Sequence, residues 1–138
     1  MPAKGHAEWQ GDLKGGTGRF TAGDTGIGGE YTFHSRFEDG PGANPEQLIA
    51  GAHAACFSMA LSAGLAKAGT PPEQLDTSAT VTFQPGQGIT KIALTVRGSV
   101  PGIDEAAFQE AAATAKANCP VSKALAGVPE ITLDASLA

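Results

Sequence analysis

Only two cysteines, one tryptophan and one tyrosine occur in these 138 residues. The cysteine spacing is neither a CxxC redox pair nor a zinc-ligand pattern. Basic residues are scarce too: nine Lys and Arg stand against fourteen Asp and Glu, for a net charge of -5. No Lys/Arg cluster exists to neutralise phosphates, which disfavours nucleic acid as a partner. The amino end, MPAKGHAEWQ, has no apolar stretch and no cleavage pattern. The expected compartment is therefore the cytoplasm, with both thiols reduced at rest. Large hydrophobes are the last shortage, because Val, Ile, Leu and Phe together number 26 while alanine alone numbers 25. So lean an inventory suits tight backbone packing and a subunit that completes its core against a partner, so a homodimer is expected. The length fits one domain, residues 1–138.

Residues 47–66 carry no formal charge over about the length of a membrane span. Gln47, His53, Ser58, Ser62, two glycines and seven alanines make the run too polar and too small for lipid. It reads instead as a helix buried on most sides, with no membrane partner. Asn44-Pro45-Glu46-Gln47 supplies a cap, a first-turn proline, an acid for the dipole and a capping-box Gln; Gly69 and Pro71-Pro72 end the helix. Leu48, Ile49, Ala52, Ala55, Cys56, Met59, Ala60 and Ala63 form its apolar stripe.

Ahead of the helix, alternation predicts strands at His6–Gln10, Thr17–Ala22 and Glu30–Phe37, separated by glycine turns. In the third, Tyr31, Phe33 and Phe37 share a face and Arg36 points away. Beyond it, Asp76–Phe83 and Ile89–Val96 make a hairpin about Pro85-Gly86-Gln87-Gly88. Asp104 caps an alanine-rich helix to about Ala117, Cys119-Pro120 opens a short one, and Glu130–Ser136 is a final strand. The order βββ-α-ββ-αα-β is that of an α+β fold, with antiparallel sheets wrapped around a long central helix.

Cys56 lies in mid-helix, where the terminal dipole has faded; to be a thiolate it needs a side-chain cation, and otherwise it is a small core hydrophobe. Cys119 precedes a helix start, whose backbone N–H groups favour a thiolate. Of three arginines, Arg36 ends a strand just before the cysteine-bearing helix and can serve as the cation. Glu46 would hold that guanidinium with a bidentate bond. His53, one turn before Cys56, reads first as a hydrogen-bonded core residue. Ten helical residues put Glu46 and Cys56 roughly 15 Å apart along one axis. If both serve one site, the carboxylate comes most simply from the antiparallel helix of a second subunit.

Residues 44–62 (NPEQLIAGAHAACFSMALS), 118–122 (NCPVS) and 100–104 (VPGID) together resemble the OsmC/Ohr peroxidase family. The likeness runs from Ala7-Glu8-Trp9 to the Glu130–Asp134 strand, and His53 in AHAACF is closer to the OsmC branch than to the organic-hydroperoxide-resistance branch. The resemblance implies a cysteine-dependent peroxidase without metal or flavin, in an intertwined homodimer with sites at the subunit interface. It further implies a peroxidatic Cys56, a resolving Cys119, and a site arginine and glutamate at Arg36 and Glu46. Arg19 in GGTGRF is an alternative counterpart for the arginine.

The mechanism expected on that basis is attack by the Cys56 thiolate on a hydroperoxide to give a sulfenic acid, then a disulfide with Cys119. A thiol or dithiol, including lipoylated carrier proteins, would reduce the disulfide. Apolar walls from Ile49, Phe57 and Met59 would suit organic hydroperoxides. Two other classes are open on the residues alone. One is a small-molecule-binding stress protein whose cysteines only pack, which would leave both thiols inert to alkylation and peroxide. The other is a zinc protein using Cys56, Cys119 and His53, which would carry stoichiometric metal.

Overall fold

The computed structural model of the chain describes residues 1–24 and 26–138. Packing divides it into two compact units, Met1–Leu48 and Ile49–Ala138. In the first, β1 (Gly5–Gln10), β2 (Thr17–Ala22) and β3 (Ile27–Tyr31) form an antiparallel meander. Trp9, Phe20 and Tyr31 meet ring to ring on one face, at centroid distances of 5.3 Å and 5.7 Å from Tyr31. Most other residues of this sheet are exposed or half-buried.

The third strand is shorter than its alternation predicts. It stops at Tyr31, and Phe33–Phe37 is a one-turn helix, α1, so Arg36 is helical rather than at a strand end. The cause is a reciprocal capping box: the Ser35 N–H donates to Thr32 Oγ1, and the Thr32 N–H donates to Ser35 Oγ. Phe33 and Phe37 stack at 4.8 Å across that turn. Residues four apart satisfy both a strand period of two and a helical turn, so the aromatic pattern fitted either form.

Helix α2 (Pro45–Lys67) starts as its sequence predicts. The Gln47 N–H donates to Asn44 Oδ1 at 2.9 Å, and the Asn44 N–H returns to Gln47 Oε1 at 3.2 Å. Gly69, at a left-handed φ of 91°, closes the far end, where the Thr70 N–H reaches back to the Leu65 carbonyl.

In the second unit, β4 (Gln74–Gln84) and β5 (Gly88–Ser99) form the expected hairpin, longer at both ends than the alternation alone marks. α3 (Glu105–Asn118) and α4 (Pro120–Ala124) then cross over to β6 (Glu130–Leu137), which lies parallel to β5, so this sheet is mixed rather than antiparallel as expected; a helical crossover of that length returns the chain in the same direction. Asp104 caps α3 through the Ala107 N–H. The order is the predicted one with α1 added. Phe57, Leu61 and Leu65 of α2 join Leu94, Val96, Phe108, Ala112, Ala115 and Cys119 in one core. The Phe108 ring lies against Gly98, where a Cβ would come within 2.7 Å of ring atoms, so glycine admits that approach.

α2 is less buried than its composition suggests. Its mean hydropathy is 1.6 and it is long enough for a membrane span. Yet only the Phe57–Leu61–Leu65 side enters the core, while Met59 is 76% exposed and Leu48 36%. Leu48, Ala52, Ala55, Met59 and Ala63 thus make an unpaired apolar stripe along the helix.

Candidate functional site

The two cysteines, sixty-three positions apart, face each other closely enough for their thiols to interact. Cys56 is presented from mid-α2 and is half-buried; Cys119 joins α3 to α4 and is fully buried. Pro120 takes the first position of α4, and the Lys123 N–H closes its first turn on the Cys119 carbonyl. The Cys119 sulfur closes no regular capping bond, but the N–H groups of Val121 and Ser122 and the Ser122 hydroxyl are turned towards it.

These surroundings act on the sulfurs in opposite directions. Burial pushes the Cys56 thiol up, as does its hydrogen bond to Cys119, and the Val121 N–H only partly offsets them. Burial also opposes charge on Cys119, but the bond from Cys56 and the donors of Ser122 and Val121 together outweigh it and bring Cys119 down. Burial and the shared hydrogen bond thus hold the proton on Cys56 more firmly, while the donors of α4 favour charge on Cys119. Within the second unit, no influence on Cys56 comes from a cation. The N–H groups of Val121 and Ser122 are the backbone help that the sequence reading expects at Cys119.

His53 is completely buried, and its Nε2 lies 2.7 Å from Ser122 Oγ, while Nδ1 has no hydrogen-bond partner among the described residues. Burial lowers its pKa, so the ring is held neutral. Protonation is then favoured in the unfolded chain, and stability is lost as pH falls below the ordinary histidine value of about 6.5. The urea midpoint is expected to drop between pH 7.5 and 5.5 by more in this protein than in a His53→Gln variant. Equal drops would show that His53 is not held neutral by the fold. Among the described residues, no three His, Cys, Asp or Glu side chains converge at metal-ligating distance.

Arg36 and Glu46 meet in the first unit. The guanidinium Nε and Nη2 donate at 3.1 Å and 2.9 Å, both to Glu46 Oε1, instead of the expected bidentate fork across two oxygens. Glu46 is buried, and Arg36 keeps about a third of its side chain exposed, lying over the Phe37 ring at 5.5 Å. α1 holds this geometry through Ser35, which donates to the Ala43 carbonyl, and through Asn44, whose amide donates to the Ser35 carbonyl. Arg19 is instead an exposed partner of Glu30.

The residues predicted as apolar walls do not share a pocket. Phe57 is in the core and Met59 is outside, because residues two apart on a helix point to nearly opposite sides. Trp9, Leu13, Tyr31, Phe33 and Phe37 instead line a cleft of about 220 Å³ with Arg36 at its edge. Ser122 was missed as a site residue; its signal was its place three positions after Cys119, where a side chain returns to a helix start.

Residues 38–134 match the OsmC family, described as OsmC-like protein. The chain is 48% identical to Peroxiredoxin OsmC of Escherichia coli K12, with 97% of this chain and 95% of that protein aligned. It is 39% identical to the Organic hydroperoxide resistance protein of Xanthomonas axonopodis pv. citri, over 68% of this chain and 67% of that one. In fold it is similar to the organic hydroperoxide resistance protein OhrB of Bacillus subtilis, with a TM-score of 0.72 and 24% identity over 99% of this chain and 98% of that one. A Legionella pneumophila structure described as an organic hydroperoxide resistance protein OsmC gives a TM-score of 0.73 at 23% identity, over 96% of each chain. With a family match over most of its length and near-half identity to a full-length relative, this chain belongs to the OsmC family of OsmC-like proteins.

Proposed function

We propose that this protein is a thiol-dependent peroxidase that reduces organic hydroperoxides, and hydrogen peroxide as well, in defence against oxidative and osmotic stress. The observation that carries the reading is the pairing of two reduced thiols, one in mid-helix and one at a helix start, from distant parts of the sequence. Packing alone would not need them to interact, whereas a sulfenic acid needs a second sulfur within reach. The names of the E. coli and Xanthomonas relatives support the same chemistry.

In this mechanism Cys56 is the peroxidatic sulfur. It gives its proton to the Cys119 thiolate and attacks the distal peroxide oxygen, which leaves a sulfenic acid on Cys56. The departing alkoxide takes the proton from Cys119 and leaves as an alcohol. Cys119, again a thiolate, attacks the Cys56 sulfur; the S–S bond forms and hydroxide departs. An external dithiol, a lipoylated protein being one class, restores both thiols.

Arg36 stabilises the charge that develops at the peroxide, and Glu46 aims it. Each site takes its Arg36–Glu46 pair from a second copy of the chain in an intertwined homodimer. The exposed stripe of α2 and the open first sheet support such an assembly. The aromatic cleft beside Arg36 suits an alkyl or aryl substituent on the hydroperoxide. Residues 1–138 act as one OsmC-like domain in the cytoplasm, where a dithiol reductant is at hand and α2 serves as a core helix.

Mass spectrometry before and after one equivalent of cumene hydroperoxide tests the reading. A Cys56–Cys119 disulfide is expected in place of two free thiols. Oxidation that leaves both thiols free, or that stops at Cys119 alone, would refute it.

A further inference from the structure

Beyond the two sulfurs, the second unit contains a polar chain that packing does not require. His53, on the core side of α2, reaches Ser122 Oγ at 2.7 Å, and Ser122 lies in the helical turn that Cys119 opens, closed by the Lys123 N–H on the Cys119 carbonyl, which sets its hydroxyl beside the Cys119 thiol. His53 and Cys119 are fully exposure-free and Ser122 is 8% exposed, so water does not compete along the chain.

The orphaned Nδ1 sets the direction of this chain. No group among the described residues bonds to Nδ1, and a buried N–H without an acceptor is disfavoured. The neutral ring therefore keeps its proton on Nε2 and donates it to Ser122 Oγ. With its oxygen so engaged, Ser122 is free to donate its own hydrogen to the Cys119 sulfur. A protonated ring would leave an Nδ1 N–H without an acceptor and is disfavoured for the same reason.

We propose that His53 and Ser122 are positioning residues for disulfide closure, holding a hydroxyl donor against Cys119 so that its anion is ready to attack the oxidised Cys56. The proposal rests on the peroxidase reading above. In the step concerned, the Cys119 thiolate attacks Cys56 Sγ, the S–O bond of the sulfenic acid breaks, and the hydroxide takes a proton from solvent. His53 and Ser122 are unchanged at the end. Groups that bear on Cys119 from the elements around it are Cys56 and, through Ser122, His53 on α2, with the Val121 and Ser122 N–H groups on α4.

The test uses Ser122→Ala, His53→Leu and His53→Gln, the last of which keeps an amide donor near the Nε2 position. In a Cys56→Ser background, thiolate absorbance followed against pH reports Cys119 alone. Ser122→Ala and His53→Leu should raise its titration by about one pH unit, the scale of one hydrogen bond to a charged group. His53→Gln should restore most of the difference. With Cys56 present, dimedone trapping after a single peroxide addition should show sulfenic acid lasting about tenfold longer in the first two variants. The oxidation rate of Cys56 itself should change less. Folded variants whose Cys119 titration stays put, or whose disulfide closes at the parent rate, would overturn the proposal. A parent protein that forms no sulfenic acid would refute the peroxidase reading, while the titration still judges the relay on its own.

Discussion

Replacing Cys56 by serine is expected to abolish hydroperoxide reduction, with turnover falling by about a thousandfold or more, since an alcohol cannot form the sulfenic acid. The fold should survive, because serine is nearly isosteric and position 56 is only half-buried in α2. Cys119→Ser should behave differently. Its first turnover should persist but slow, since the sulfur that takes the Cys56 proton is gone, with sulfenic acid accumulating on Cys56 and disulfide formation abolished. A consumption assay with cumene hydroperoxide and a dithiol separates the two variants. A Cys56→Ser protein that retains steady turnover would remove the sulfur assigned to the chemistry.

The second large effect concerns the arginine. Arg36→Met should lower the rate about a hundredfold or more, by analogy with the loss of one donor to a developing anion. It should also leave Glu46, which is 7% exposed, without its partner. The informative experiment mixes this variant with Cys56→Ser after unfolding and refolding them together. Each is inactive alone. If Arg36 serves the cysteine of the other subunit, mixed dimers hold one site with both residues intact, and activity returns to a sizeable fraction of the parent value. If each chain serves its own cysteine, that mixed dimer has no complete site and activity stays at the background of either variant. Arg19→Met is the companion control: Arg19 is exposed and paired with Glu30, so its loss should change the rate little.

Several elements were legible in the sequence because their causes are local. The start of α2 follows from Asn44, Pro45 and Gln47, its end from Gly69, and the start of α3 from Asp104. The β4–β5 hairpin follows from alternation around a glycine turn. α1 was not legible as a helix. Phe33 and Phe37 suit both periods, and the choice was made by two hydroxyls, on Thr32 and Ser35, that close a turn where the strand would have run on. That choice matters, since it is α1 that sets Arg36 against Glu46.

The apolar stripe of α2 was legible as a pattern, but not which part of it would be covered. Alanine and methionine suit a core or an interface equally, and only the packing of β5 and α3 selects Phe57, Leu61 and Leu65 as the inner side. The same packing turns His53 inward, and its contact with Ser122, sixty-nine positions away, has no local signature.

By itself the amino-acid order determined the family, the succession of strands and helices, and which two sulfurs and which arginine were worth attention, because capping, turns and alternation act over a few residues. The tertiary structure decided which sulfur more readily carries charge. That balance depends on burial and on donors at Val121 and Ser122 that reach Cys119, with Cys56 brought against it from another helix. Such fields fall off within a few ångströms, so only the folded arrangement of the chain can set them.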